Sequence, residues 1–564
     1  MSSPERASGQ ALRTVVEAWI ADDPDPADRA ELGSLLDRGD VTELQDRFAG
    51  RLTFGTAGLR GVVAAGPNRM NRAVVRGATA AVAGWLSASP DPSVVVGCDA
   101  RHRSAEFADE AARVLAGAGI AVHMLPLPCP TPLLAFAVRE LRASAGIMIT
   151  ASHNPARDNG YKLYLSDGAQ VIPPADREIE ARIATLGPLS AVPVAATDSP
   201  LITRHGDEIA AAYLTAITDI TNSGAPPLNV VYTPMHGVAG SLMLRAMDAA
   251  GFAAPFVVAA QAEPDPDFPT VAFPNPEEPG ALDLALADAR RLDADLVIAN
   301  DPDGDRLSVA VPGPDSWSAL TGDQVGALLG AAQLRWTASG TVSGSGAASA
   351  GRRLAATTIV SATLLSAIAA AADVDYAETL TGFKWIARAA DGKPGTRFVF
   401  GYEEALGYAV GDVVRDKDGM SAALAMLRLA TEAKAAGRSV RDLYDDLESS
   451  HGVHLTSQLT LRTSDQEAVM ARLRAEPPVS FGDQRVTSVT DLAGGGDHLP
   501  PSDVLIFGLD EARVVLRPSG TEPKIKCYVE VVQKLSGGSL TGARAAAAAR
   551  MSPLRAALEA LLTG

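Results

Sequence analysis

Asp301, Asp303 and Asp305 alternate along one short loop, Asn300-Asp-Pro-Asp-Gly-Asp-Arg306. Three carboxylates this close repel one another unless a cation sits among them. Oxygen-only ligands of this kind suit a hard divalent ion, Mg²⁺ or Ca²⁺. A calcium loop of the EF-hand type needs glycine at its sixth position and glutamate at its twelfth. Counted from Asp301, those positions hold Arg306 and Pro312, which excludes that loop. Magnesium keeps positions open for a phosphate oxygen, and Arg306 can hold a second phosphate or orient a carboxylate. The alternative is a solvated acidic turn. The buried apolar run at 296–298 that leads into the loop favours the metal.

A second stretch offers a nucleophile. In Ile147-Met-Ile-Thr-Ala-Ser-His-Asn-Pro155 an apolar run too short for a helix turns abruptly polar. Asn154-Pro155 stops any regular element. Ser152 is thereby expected in a tight loop at the carboxyl end of a strand, the edge where open α/β sheets bind ligands. The plainer reading is a cap on a following helix. His153 is expected to point away from Ser152, as neighbouring side chains usually diverge. GxSxG is also absent, so triad hydrolysis is not indicated. Asp158-Asn-Gly-Tyr-Lys162 reads as a turn returning Lys162 to the same edge.

Arg517-Pro-Ser-Gly-Thr521 supplies a guanidinium, two hydroxyls and backbone N–H groups around a glycine, the parts of a phosphate cradle. Lys524 and Lys526 add positive charge nearby. Glu403 and Glu404, at a strand end, are acceptors suited to sugar hydroxyls. Phe54-Gly-Thr-Ala-Gly-Leu-Arg-Gly61 places Arg60 between glycines that let the backbone bend. His236 follows a strand and reads as structural.

Elements must bring these loops together. Residues 1–50 show helical spacing, broken at Asp23-Pro-Asp-Pro26. Helices at 73–86, 104–116 and 133–141 alternate with strands at 94–97, 120–125 and 147–149. Such alternation predicts a parallel sheet. The pattern restarts after a polar stretch at 186–206, with strands at 229–232, 256–258 and 296–298. It restarts again near 315, with strands at 357–360 and 398–400. Thr381-Gly-Phe-Lys-Trp385 reads as a polar loop, and Asp416-Lys-Asp-Gly419 as the lead into a helix. Gly340–Gly351 is glycine- and serine-rich without a complete GxGxxG, and reads as a surface loop. From about 450 the pattern alternates apolar and polar, as in antiparallel strands. The expected division is 1–205, 206–314 and 315–448, all α/β, and 449–564, α+β.

Composition sets the frame. The chain has 564 residues, 47% of them hydrophobic and 21% charged, with a net charge of −18. That balance argues against a broad nucleic-acid or anionic-membrane surface. Cys98, Cys129 and Cys527 are far apart, so neither a disulfide framework nor a zinc site is expected, and a reducing cytoplasm is the expected location. No signal-peptide core and no apolar run of about 18 residues is seen.

Together the motifs resemble the α-D-phosphohexomutase family of phosphoglucomutases and phosphomannomutases. The match runs from Phe54-Gly-Thr-Ala-Gly-Leu-Arg60 through Thr150-Ala-Ser-His-Asn-Pro155, Asp301-Pro-Asp-Gly-Asp-Arg306, Thr381-Gly-Phe-Lys384 and Glu403-Glu404 to Arg517-Pro-Ser-Gly-Thr521. The branch it resembles most contains phosphoglucomutase/phosphopentomutase and bacterial relatives. The resemblance implies four domains around a central cleft, three similar α/β units and a C-terminal α+β domain. It implies a phosphoserine at Ser152, with Mg²⁺ held by Asp301, Asp303, Asp305 and a phosphoserine oxygen. Arg60, His153, Lys162 and Arg306 would line the reaction centre, with Lys162 and His153 both open as the base. Thr381, Gly382, Lys384 and Glu403 would bind the sugar. Arg517, Ser519, Gly520 and Thr521 would hold the phosphate that is not reacting. Many members carry serine where Ala405 stands, which keeps pentose phosphates open beside glucose and mannose.

The activity so implied interconverts hexose 1- and 6-phosphates through a sugar 1,6-bisphosphate, in a monomer or small homo-oligomer. Phosphopentomutase, sugar-bisphosphate synthase, a metal-dependent phosphatase and a non-catalytic sugar-phosphate-binding protein are the alternatives.

Overall fold

The computed structural model describes residues 3–53, 58–218, 227–313, 316–339, 351–463, 465–496, 498–519, 524–535 and 537–563, with backbone alone at 3–9 and 563. The chain divides into two compact units. The first comprises Met1–Thr218, Asn229–Leu307 and Val413–Ser421. The second comprises Asp219–Leu228, Ser308–Asp412 and Ala422–Gly564.

In the first unit, helices Ser3–Asp22, Pro26–Arg38 and Val41–Arg47 share a small core of Val16, Leu32, Leu35 and Leu44. The Asp25 side chain caps the second helix by accepting from the Ala27 amide, and Pro26 opens its first turn. A six-stranded sheet follows, built from β1 (Leu59–Val62), β2 (Ser93–Cys98), β3 (Ala121–Met124), β4 (Ala145–Ile149), β5 (Asp158–Leu165) and β6 (Ile202–Arg204), in the order β1-β5-β4-β2-β3-β6. Strands β4, β2, β3 and β6 run parallel. The two central strands, β2 and β4, are buried almost throughout, as strands covered on both faces are, whereas β6 at the edge is largely exposed. The expected all-parallel sheet is nevertheless mixed, since β5 is antiparallel to β4 and to β1. Residues 158–162, read from the sequence as a turn, begin β5. Their glycine serves close approach, because a Cβ at Gly160 would lie 2.5 Å from the Thr150 carbonyl oxygen. A second parallel set in this unit is β7 (Val230–Thr233), β8 (Phe256–Val257) and β9 (Leu296–Ala299), with β7 central.

In the second unit, β10 (Ser308–Pro312) and β11 (Trp317–Ala319) form a hairpin. Strands β12 (Arg352–Thr358), β13 (Asp375–Thr379), β14 (Thr396–Glu403) and β15 (Gly407–Val410) form a sheet in the order β13-β12-β14-β15, parallel except for β15. The last six strands are β16 (Val453–Arg462), β17 (Ser480–Phe481), β18 (Gln484–Asp491), β19 (Leu505–Leu509), β20 (Ala512–Pro518) and β21 (Lys524–Gln533). They form an antiparallel sheet in the order β16-β21-β20-β19-β18-β17, backed by helix Leu540–Thr563. Its core holds Phe481, Phe507, Val514 and Leu558. The glycine-rich stretch 340–350 lies outside the described residues. Among the described residues, no helix is long and apolar enough to cross a membrane.

Candidate active site

Ser152 follows β4 after a two-residue polar step and is buried. Its φ of +51° is left-handed, a conformation rare outside glycine. No helix follows; the chain turns into β5, so Ser152 is not a helix cap. Its amide donates to Thr150 Oγ1 at 2.9 Å, and its hydroxyl donates to Asp301 Oδ2 at 2.8 Å. The expectation that His153 diverges is wrong. The left-handed turn folds the two side chains onto one side, with Ser152 Oγ 3.1 Å from His153 Nδ1. Arg60, on β1 opposite Gly160, donates to Asn154 Oδ1 at 2.9 Å.

The acidic loop follows β9. Asp301, Asp303 and Asp305 are fully buried, each offering an oxygen within 4.8 Å of the others. Gly304 supplies the turn with φ +72°. Lys162 pairs with Met148 in the β4–β5 register and sends its Nζ to Asp303 Oδ2 at 2.8 Å and Asp305 Oδ2 at 3.0 Å. Thr131 Oγ1 donates to Asp303 Oδ2 at 2.6 Å. The Arg306 amide donates to Asp301 Oδ1 at 3.0 Å, and its guanidinium lies 3.3 Å from Glu277. The segment 413–421 closes the same site. Lys417 Nζ lies 3.4 Å from Asp305 Oδ2, and Asp416 accepts from Tyr164 at 2.7 Å and Gln170 at 2.8 Å. Gly419 lies so close to Arg306 that a Cβ would come within 2.2 Å of its carbonyl oxygen.

Electrostatics separate the acids. Burial, reinforced by Asp303 and Asp305, pushes the Asp301 carboxyl well above the usual range. Burial would raise Asp303 too, but the Lys162 ammonium and the Lys162 and Thr131 hydrogen bonds outweigh it and hold it below that range. For Lys162, burial is outweighed by Asp303 and Asp305, which keep the ammonium charged. Burial, then Arg306 and Arg60, drive His153 far below an ordinary histidine, leaving a neutral imidazole.

The donor set fits a hard divalent cation. Asp303 Oδ1 and Asp305 Oδ1 are buried and accept no hydrogen bond from any described residue. Orphaned buried carboxylate oxygens are costly unless something cationic meets them.

The second unit holds the remaining candidates. Glu403 ends β14, and the β14–β15 turn carries Glu404 and Ala405, all half-buried. Glu404 accepts from Thr358 Oγ1 at 3.2 Å and Ser361 Oγ at 3.3 Å. Burial, then Glu403 and Asp323, push its carboxyl up to about 7. Residues 381–385 are not a plain loop. Gly382, at φ +108°, opens a one-turn helix, Phe383–Ile386, on which Lys384 is buried. Arg517, next to last in β20, donates to Thr381 Oγ1 at 2.6 Å, joining the two loops. The Ser519 amide donates to the Lys524 carbonyl at 2.8 Å. Gly520 and Thr521 lie outside the described residues, as do residues 54–57.

Sequence reading passed over Arg101, Thr131, Asp416 and Lys417. Arg101 follows the end of β2 at Cys98, so the strand-end signal that singled out Ser152 applied to it as well, whereas Thr131 opens the helix Thr131–Glu140 beyond a proline-rich connector. Lys417 had no such signal. Its neighbour Asp305 is over a hundred positions away in sequence, and only the fold joins them.

Comparison with known proteins identifies the family. Profiles described as phosphoglucomutase/phosphomannomutase match in order: alpha/beta/alpha domain I over 51–188, domain II over 211–313, domain III over 321–450, and the C-terminal domain over 465–536. A probable phosphomannomutase of Haemophilus influenzae is 39% identical over 474 residues, covering 82% of this chain and 93% of that one. A probable phosphoribomutase of Schizosaccharomyces pombe is 34% identical, covering 92% and 93%. A phosphoglucomutase of Staphylococcus epidermidis is 35% identical, covering 91% and 96%. The crystal structure of a putative phosphomannomutase from Thermus thermophilus superposes with a TM-score of 0.66 at 25% identity, covering 86% of this chain and 95% of that chain.

Proposed function

The chain belongs to the phosphoglucomutase/phosphomannomutase family, and we propose that it moves a phosphoryl group between the C1 and C6 oxygens of a hexose phosphate through phosphorylated Ser152. It is a phosphosugar mutase, an intramolecular phosphotransferase with the family's four-domain architecture. The domains are 1–205, 206–314, 315–448 and 449–564.

The observation that carries the reading is the Ser152 hydroxyl, buried, 2.8 Å from Asp301 and 3.1 Å from a neutral His153. In the first half-reaction the bond from phosphorus to Ser152 Oγ breaks, and a bond to the free sugar hydroxyl forms. The hydroxyl proton passes to a base; of the two candidates the neutral imidazole of His153 can accept it, whereas the Lys162 ammonium, held charged by Asp303 and Asp305, has no free electron pair to do so. The sugar 1,6-bisphosphate then turns over, and its other phosphate returns to Ser152. Mg²⁺ held by Asp301, Asp303, Asp305 and Ser152 would offset charge on the transferred group. Arg60 and Arg306 would hold phosphate oxygens. Thr381, Gly382, Lys384 and Glu403 would bind the sugar. Arg517, Ser519, Gly520 and Thr521 would hold the distal phosphate. Catalysis is then mainly positioning and electrostatics.

A second reading, phosphopentomutase, is favoured by Ala405 and by the phosphoribomutase name of one relative. A panel of glucose, mannose, glucosamine and ribose 1-phosphates, with Mg²⁺ and a trace of the matching bisphosphate, decides between them by relative kcat/KM. Intact mass tests the carrier: wild-type protein should show one phosphate that Ser152→Ala lacks. A wild type that never carries it, even after exposure to bisphosphate, would sink the mechanism.

A further inference from the structure

The left-handed turn at Ser152 has to be held by something. Among the described residues the guanidinium of Arg101 spans it. Nη2 donates to the carbonyl oxygen of Ser152 at 2.6 Å and to that of Asn154, and Nη1 donates to those of Pro155 at 2.8 Å and Asp158 at 3.1 Å. Four carbonyls of the 152–158 segment thus converge on one cation whose side chain is 1% exposed. Asp99 Oδ2 lies 3.4 Å from Nε, and the Phe268 ring centroid lies 4.9 Å from the guanidinium carbon. The geometry uses the planar fork of arginine. A lysine offers one compact ammonium and cannot span the same carbonyls.

The loop that carries Arg101 is itself anchored. Asp99 Oδ1 accepts from the Arg101 amide at 3.0 Å and Ser104 Oγ at 2.6 Å. Asn159 Nδ2 donates to the His102 carbonyl and to Ser104 Oγ, both at 2.9 Å. Arg103 stands at φ +62° and turns the other way, gripping Asp25, Asp28 at 2.8 Å and Glu106 at 2.7 Å. Asp25 and Asp28 are buried and sit at the start of the second N-terminal helix. That helix precedes residue 51, where the family profile begins. The first helix is fixed as well, with Asp22 accepting from the amides of Leu189 at 2.7 Å and Ser190 at 2.9 Å.

We propose that Arg101 is a positioning residue that holds the Ser152 turn for phosphoryl transfer, and that Asp25 and Asp28 keep its loop in place through Arg103. The proposal rests on the phosphoserine reading above. Arg101 meets Ser152 through the main-chain oxygen, so its contribution is to where Oγ stands. The N-terminal helices become part of the catalytic scaffold without touching substrate.

The test uses the full chain with two changes, Arg101→Lys and the double variant Asp25→Asn/Asp28→Asn. Three quantities are measured: kcat and KM with Mg²⁺, hydrogen exchange of the 152–158 amides, and thermal melting. In Arg101→Lys, kcat falls about 100-fold while KM stays within about threefold, the pattern of a misplaced reacting group. The 152–158 amides exchange at least about tenfold faster, while those of β4 remain protected. The double variant lowers kcat about tenfold and quickens the same amides, although neither substituted residue touches them. Wild-type kcat in Arg101→Lys overturns the proposal. So does acceleration spread equally over β4, which would mean plain destabilisation. Unchanged 152–158 exchange in the double variant removes the role of the N-terminal helices, and it decides alone if Arg101→Lys fails to fold. Exchange needs no turnover, so a wild type without mutase activity would fail the phosphomutase reading while the exchange data still judge the positioning.

Discussion

The acidic loop of the first unit and the loops proposed to hold sugar and phosphate in the second are built on different terms. Asp301, Asp303 and Asp305 are fully buried, tied to Ser152, Lys162 and Thr131 at 2.6–3.0 Å. Glu403, Glu404, Arg517 and Ser519 are half-buried and sit on strand ends and turns. The difference follows the chemistry each would do. A transferring phosphoryl group gains most from charges fixed in advance in a dry, low-dielectric setting, because nothing then reorganises during reaction. A sugar or a distal phosphate has to enter and leave, and half-exposed partners suit grip and release.

The contrast can be broken by experiment. The largest expected effect is removal of the divalent ion. A chelator should lower turnover at least about 10³-fold, with Mg²⁺ restoring it and Ca²⁺ restoring far less, because Ca²⁺ adopts looser, larger coordination. Full turnover in the presence of chelator would mean that the orphaned oxygens of Asp303 and Asp305 serve something else.

Asp303→Asn comes next. Turnover should fall about 10²–10³-fold. Stability should fall by about 3 kcal/mol in denaturant titration, since the buried Lys162 keeps only one of its two carboxylates. A variant as stable as wild type would contradict the ion pair.

Arg517→Ala should act on binding. KM for the phosphosugar should rise about 10–100-fold, the value of one charge-assisted hydrogen bond, with Ser152 still phosphorylated. A fall in kcat at unchanged KM would place Arg517 with the reacting group and erase the contrast.

A test on stability alone concerns Glu404. Its carboxyl is raised from 4.5 to about 7, so between those values the folded chain holds a proton that the unfolded chain has lost. Stability therefore falls as pH rises through that window, by at most about 1.4 kcal/mol per pH unit. Glu404→Gln should flatten that part of the stability–pH curve. An unchanged slope would show that the half-buried turn is better solvated than its neighbours Glu403 and Asp323 imply.

Much of this was legible in the sequence where the signal is local. The apolar run before Ser152, the spacing of the three aspartates and the period-two pattern from 453 onward each report their own element, because strand burial and turn chemistry act over a few residues. Two local readings failed where a partner intervened. Residues 158–162 looked like a turn because Asn-Gly favours one. They became a strand because β4 and β1 lie on either side to pair with them. Likewise, Ser152 and His153 meet only because the backbone between them is held left-handed.

By itself, then, the sequence determined the order of the loops, the types of their ligands and the strand ends that carry them. Those follow from hydrophobic periodicity and residue chemistry. Tertiary structure alone decided that Asp303 stays charged on Lys162, that His153 stays neutral beside two arginines, and that residues 413–421 return Lys417 to Asp305. The reason is that charge states in a buried site depend on desolvation and on neighbours distant in the chain, and no local spacing encodes either. The three carboxylates of the acidic loop stand in the sequence two residues apart. The field around them is assembled from stretches of the chain that lie far apart in sequence.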